Sequence, residues 1–250
     1  MWKIMKENLE DLLSPNLWRS LACETVGTLV IVLLGCGAWI QWVQGGINVV
    51  QIALAFGLSV ATMVWSFAHI SGGHFNPALT AATLVTRRVS IIRGVLYIIA
   101  QVLGGILGAG VLYGLTPESM RGDLGATVIA GADVTAAQAF GVEMLITFIF
   151  VLSFFASRDS ARSDLAGSYP LTVGLAVVVC QLFAVSHFRL HFFLASSPFH
   201  PCNLELYSIF LSILFVCFCF LSIPILSLNC IAALHFHNTL LPAFLFLFRC

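Results

Sequence analysis

Apolar residues run along this chain in long blocks, not in short alternating stretches. Blocks cover roughly 21–43, 47–68, 91–115 and 138–156, and a fifth opens at Tyr169-Pro170 and runs through Val179. Each is close to the ~20 residues a helix needs to cross the hydrocarbon of a bilayer. The first two are separated only by Gln44-Gly45-Gly46, which predicts antiparallel neighbouring helices. The third carries Gly104 and Gly108 on one face, a spacing that lets helix backbones approach closely. Ahead of the first block, residues 1–19 are polar and mixed in charge. There Leu9, Leu12, Leu13 and Leu17 fit a short amphipathic helix on the membrane surface, interrupted by Pro15. The first block is too long for the apolar core of a signal peptide and is expected to stay in the protein.

Composition agrees with a membrane solvent. The chain is 60% hydrophobic and 9% charged, with mean hydropathy +1.01, against about 25% charged residues in soluble domains. A net charge of +0 offers nothing to a nucleic acid. The cysteines are scattered and read as small apolar filler, with neither a disulfide framework nor a zinc pattern. His187 and His191, or His235 and His237, lack acidic or cysteine partners at a spacing that would hold a metal. No cofactor, metal or catalytic set is expected, so the chain is not read as an enzyme. Lys and Arg concentrate in the N-terminal segment, at Arg87, Arg88 and Arg93, and in 157–168, whereas the links 44–46 and 116–137 hold only Arg121. That alternation places the N-terminus in the cytoplasm.

One stretch does not fit a simple row of spans. Ser71-Gly72-Gly73-His74-Phe75-Asn76-Pro77-Ala78-Leu79-Thr80 lies between the second and third blocks. Two glycines let the backbone leave a helix and turn tightly. Asn76 is a good N-cap, and Pro77 suits the first helical position. The residues up to Val85 then make a helix too short to span. An ordinary capped surface helix would also carry this pattern, but its flanks are membrane-like. The stretch 71–86 therefore reads as a loop that dips into the membrane and returns. Such backbone survives there only when packed in protein or lining a watery path.

Two carboxylates stand inside apolar blocks. Glu24 lies early in the first and Glu143 early in the fourth, each followed four residues later by a threonine, Thr28 and Thr147. They could snorkel to the interface. The other reading is a pair of buried structural acids, each bonded to the re-entrant loop of its own half, marking an internal inverted repeat.

The run Gly72-Gly73-His74-Phe75-Asn76-Pro77-Ala78 resembles the first signature loop of the aquaporin (major intrinsic protein) family. The resemblance implies an all-α membrane protein, an inverted-repeat helical bundle of two three-span halves, each contributing one Asn-Pro-Ala half-helix. It implies passive water transport in single file, with the carbonyls of Gly72, Gly73 and His74 and the amide of Asn76 bonding to the water. Half-helix N-termini would place positive potential at the centre against cations and protons. It implies a homotetramer in the plasma membrane, with water and the lipid bilayer as partners. Phe56 matches the aromatic of the outer constriction and is similar to the water-selective branch, although Phe56 could also be a core or lipid-facing residue. Gln181 stands where water-selective members carry a histidine.

The resemblance stops within the second half. The spacing from Glu24 to Glu143, carried on from Asn76, puts a second half-helix near 195, where the chain reads Leu194-Ala195-Ser196-Ser197-Pro198-Phe199. No Asn-Pro-Ala follows Ala78, and Arg189 stands in no motif that would make it the family's filter arginine. The 20 glycines all precede Val185, whereas five of the 8 cysteines and twelve of the 21 phenylalanines follow it. Lys, Asp and Trp are absent from 185–250. The chain thus divides into a cytoplasmic N-terminal segment 1–19, an aquaporin-like region 20–184, and a hydrophobic tail 185–250 that leaves the second half incomplete or aberrant. Leu204–Ile225 is long enough to span, and Ile231–Phe248 is marginal. Expected is a water channel impaired by loss of one half-helix. The alternatives are a non-conducting membrane protein that associates with intact aquaporins, and a small-solute facilitator for glycerol or urea. Val185-Ser186 is what an in-frame splice-donor sequence encodes, and the tail resembles translated T-rich non-coding DNA. A retained intron is the hypothesis. Genomic and transcript sequences around codon 185 test it; a spliced junction there that still encodes this tail would refute it.

Overall fold

The computed structural model describes residues 8, 10–40, 48–122, 124–125, 135–159 and 167–188. Leu9 of the expected surface helix, the 44–46 link, the 195 region and both tail segments lie outside the described residues. Among the described residues the fold is all-helical: α1 (Pro15–Gly37), α2 (Val49–Ser71), α3 (Pro77–Val85), α4 (Ile91–Leu115), α5 (Ala136–Ser157) and α6 (Tyr169–Phe188), with a 3-10 turn at Glu118–Met120.

Local sequence explains the helix starts. The Ser14 side chain accepts from Asn16 N–H and Pro15 takes the first helical position, so α1 begins at Pro15 and not near residue 21. Helical residues 10–13 stop at Ser14, so the chain breaks next to Pro15 as expected, and the same proline starts the first spanning helix. Asn48 caps α2 by accepting from Val50 and Gln51 N–H. Ser90 caps α4 by accepting from Arg93 N–H. Thr135 and Gln138 form a reciprocal capping box on α5. The third span matches its expected bounds at Ile91–Leu115.

Helices α1, α2 and α4 are long and apolar enough to cross a membrane; α5 and α6 carry shorter apolar stretches, Gly141–Ser157 and Tyr169–Ala184. Leu103 and Leu107 of α4 and Leu175 and Val179 of α6 are large, apolar and exposed, as expected for faces that meet lipid. The start of α1 and the end of α5 both meet the end of α2, where Ser20 Oγ donates to the Ile70 carbonyl and Arg158 Nη1 to the Gly72 carbonyl. This is the relation an inverted repeat requires.

Close backbone approach holds the bundle together. A Cβ on Gly104 would lie 2.3 Å from the Thr25 carbonyl oxygen of α1, and one on Gly108 would lie 2.6 Å from the Leu29 oxygen. The α2–α6 crossing uses Gly57 and Gly174, where a Cβ on either would lie 2.5 Å from the other's carbonyl oxygen. Apolar side chains then fill the interior, with Ile31, Ile52, Phe56, Leu79, Ile146 and Val177 almost wholly enclosed.

Gly104→Ala should lower stability by about 2 kcal/mol, because the new methyl meets rigid backbone. Gly110, with nothing within 4 Å of its Cβ position, is the control; Gly110→Ala should leave the melting midpoint unchanged or raise it. Thermal unfolding of the purified chain in detergent reads both, and equal midpoints for the two variants would refute the packing account.

Candidate functional site

After Ser71 the backbone leaves the helix through three left-handed residues: Gly72 at φ 90°, Gly73 at φ 68° and Phe75 at φ 46°. Glycine takes this conformation freely. Phe75 does so against its side-chain preference, and such strain persists only when surroundings over-determine it. Two contacts do so. Phe75 N–H donates to Glu24 Oε2 at 2.7 Å. Its ring lies against Gly27, where a Cβ would come within 2.2 Å of the ring.

Glu24 is wholly buried in α1 and collects the donors that the irregular backbone strands. Oε1 accepts from Ser71 Oγ at 2.6 Å and His74 N–H at 3.0 Å. Oε2 accepts from Phe75 N–H and from Gln101 Nε2, the latter at 2.9 Å. Gln101 of α4 also donates to Thr80 Oγ1 at 2.9 Å, and Thr80 donates to the Asn76 carbonyl at 3.0 Å. His74 Nδ1 lies 3.2 Å from the same hydroxyl. Tyr97 closes the set by donating to the Ser71 carbonyl at 2.8 Å. One carboxylate thus ties together α1, the loop, α3 and α4.

The loop delivers Asn76 to the start of α3. Its Oδ1 accepts from Ala78 N–H at 2.8 Å and Leu79 N–H at 3.3 Å. With its oxygen committed to the helix start, the amide Nδ2 faces away from it. Pro77 occupies the first helical position, as its missing N–H allows. The N-terminal partial charge of α3 is therefore held inside the bundle next to a side-chain donor.

The other expected site residues fall in different settings. Phe56 is wholly buried, with its ring packed on Gly35 of α1; its visible role is core packing. Gln181 is wholly buried in α6, and both its amide atoms lack a hydrogen-bond partner. Glu143 lies in α5 at intermediate burial, so its part as the second structural acid stays an expectation. The segment near 195 that it would have bonded lies outside the described residues. The Gly72 carbonyl, expected to face passing water, accepts from Arg158 Nη1 at 2.9 Å and from Tyr169 Oη at 3.4 Å.

Sequence reading missed Gln101, Tyr97, Gly27 and Arg158. Gln101 carried a signal, being an amide in the middle of an apolar span, which needs partners there. The other three are ordinary residues until the loop folds against them.

Glu24→Gln should cost about 3 kcal/mol, because its new NH₂ would face a buried donor. The loop should loosen first. Thermal unfolding and protease cleavage between 71 and 77 read the effect; an unchanged midpoint with unchanged cleavage would refute the hub.

The model of the major intrinsic protein family matches residues 11–188. Aquaporin-4 of Mus musculus is 48% identical over 176 residues, covering 68% of this chain and 54% of that protein. Aquaporin-4 of Homo sapiens is 47% identical over 176 residues, with 68% and 54% covered. The lens fiber major intrinsic protein of Mus musculus is 43% identical over 175 residues, 70% of this chain and 66% of that protein. The chain thus spans about half the length of the aquaporin-4 relatives it matches. The X-ray structure of the aquaglyceroporin from Plasmodium falciparum superposes with TM-score 0.70 at 21% identity, covering 85% of this chain and 100% of that one, a likeness of fold. With its half-helix carried on a loop pinned by a buried carboxylate, and with a family match over most of its described length, the chain belongs to the major intrinsic protein family.

Proposed function

We propose that this chain descends from a passive, water-selective channel and conducts poorly, because only one of the two half-helices is written in it. The observation that carries this reading is the Glu24-held loop, which sets Asn76 at the N-terminus of α3 inside the bundle. A re-entrant helix start of this kind has one evident use in a membrane protein. It offers oriented donors and a positive potential to a small polar molecule crossing the bilayer. Water would bond to the carbonyls of Gly73 and His74 and to the amide of Asn76. The unpartnered amide of Gln181 supports a wet path past α6, since a buried amide without partners is costly unless water reaches it. Phe56 stands at the outer constriction only by resemblance.

The similarity to aquaporin-4 and the phenylalanine at 56 favour water over glycerol or urea. The missing second motif removes half of the central donors and half of the opposed helix dipoles. The protein is a channel-family member, not an enzyme. A plasma-membrane location, a cytoplasmic N-terminus and a homotetramer complete the proposal. They rest on the arginine distribution and the family resemblance. The second reading, a non-conducting chain that associates with intact relatives, is favoured by the same missing motif.

Stopped-flow swelling of vesicles holding the purified full chain tests the proposal. Water permeability should exceed that of protein-free vesicles yet stay well below that of an intact aquaporin-4. Asn76→Ala should reduce it further and cost about 1 kcal/mol of cap stability. Permeability equal to protein-free vesicles, with the chain folded and inserted, favours the non-conducting reading. Permeability equal to the intact relative overturns the impairment. Glycerol uptake above control overturns water selectivity.

A further inference from the structure

The end of the bundle where α1, α4 and α6 start carries more positive charge than water conduction explains. A cavity of about 550 Å³ opens there, and Asp11, Ser71, His74, Arg88, Arg93 and Arg158 are among the residues that line it. Its floor is the first turn of the re-entrant loop. Three arginines share it with one carboxylate.

That carboxylate is already engaged. Arg93 donates to Asp11 through Nη2 at 2.5 Å and Nε at 3.3 Å, and the Ser90 hydroxyl donates to it as well. The Arg93 bonds hold the Asp11 carboxyl below the usual carboxylate range, so it stays charged and paired. Arg88 and Arg158 have no carboxylate partner among the described residues. Both are exposed, and each is laid on aromatic rings. The Arg88 guanidinium carbon is 4.5 Å from the centre of the Phe155 ring. That of Arg158 is 5.2 Å from Phe154 and 5.1 Å from Tyr169. Phe154 and Phe155 are themselves edge to face at 6.0 Å. A guanidinium drawn to the face of a ring by cation–π attraction keeps N–H donors open to other partners. Arg158 spends Nη1 on the Gly72 carbonyl, which anchors it at the loop. Its remaining N–H groups, and those of Arg88, lie over aromatic rings with no carboxylate among the described residues to bind.

We propose that this vestibule binds a phosphate-bearing anion, with Arg88 and Arg158 as its direct partners and Arg93 contributing charge from beside them. Planar guanidinium donors suit the oxygens of a phosphate, and prior ordering by the rings lowers the entropy lost on binding. A ligand held by Arg158 sits over the Gly72 carbonyl, at the entrance to the loop that carries Asn76. The shared chemistry is a phosphate monoester, supplied either by a lipid headgroup or by a free molecule. The site does not require the chain to conduct, so its test is independent of water flux.

Thermal unfolding of the purified full chain reads the site in two arms. One titrates inorganic phosphate into the chain in neutral detergent, with sodium chloride at matched ionic strength as control. The other uses vesicles of phosphatidylcholine, alone or with a monophosphorylated phosphatidylinositol. The midpoint should rise saturably with phosphate or with the phosphorylated lipid, and not with chloride or phosphatidylcholine alone. Arg88→Ala and Arg158→Ala should each raise the half-saturating concentration about tenfold, and Arg88→Lys should restore only part of it. Should an alanine variant melt early without ligand, Arg88→Gln at its exposed position repeats the test. A response to lipid alone assigns the headgroup, and a response to free phosphate assigns a soluble ester; either supports the site. No saturable rise in either arm, or a rise undiminished in the arginine variants, overturns it.

Discussion

A backbone that abandons helical geometry inside lipid strands its own N–H groups, and Glu24 is where this chain gathers them. The carboxylate accepts from two consecutive backbone N–H groups, His74 and Phe75, and from the side chains of Ser71 and Gln101. Burying such a group alone would be prohibitive; burying it with both oxygens occupied is the condition for the loop to exist. The left-handed turn at Gly72, Gly73 and Phe75, the direction of α3 and the placement of Asn76 all depend on that one acceptor.

The hub works because the helices around it come unusually close. Gly104 and Gly108 bring α4 against α1, which carries Gln101 within reach of Glu24 on the neighbouring helix. Gly27 leaves room for the Phe75 ring, so the strained residue is wedged from its side chain as well as held from its backbone. Polar network and small-residue packing are one device. Larger residues at these crossings would separate the helices and leave the carboxylate short of donors.

Arginines at the same end of the bundle fall into two groups. Arg93 is neutralised by Asp11 and helps fasten the segment before α1 to the start of α4. Arg88 and Arg158 instead rest on aromatic rings, and Arg158 reaches the first carbonyl of the loop. This end is therefore both the entrance to the re-entrant loop and a cationic concavity.

Much was legible without coordinates. Block length and the near absence of charge required membrane-spanning helices, since only a helix satisfies its own backbone in lipid. Asn76-Pro77 after two glycines marked a turn followed by a capped helix start, because those residues have few other uses in that order. A lone acid in the first span announced that something polar would meet it. What the chain alone left open was the partner. Gln101 lies far along the sequence from Glu24, and Tyr97, Gly27 and Arg158 carry no local mark of their roles. Pro15 was legible as a break, and it is also a beginning, because a proline preceded by a capping serine starts a helix. Local chemistry thus determined the helices, the loop and the need for a buried acceptor. Only tertiary packing decided which donors reach it and that Phe56 lies against Gly35. Those outcomes are set by how closely helices distant in sequence approach, a distance no single stretch of chain encodes.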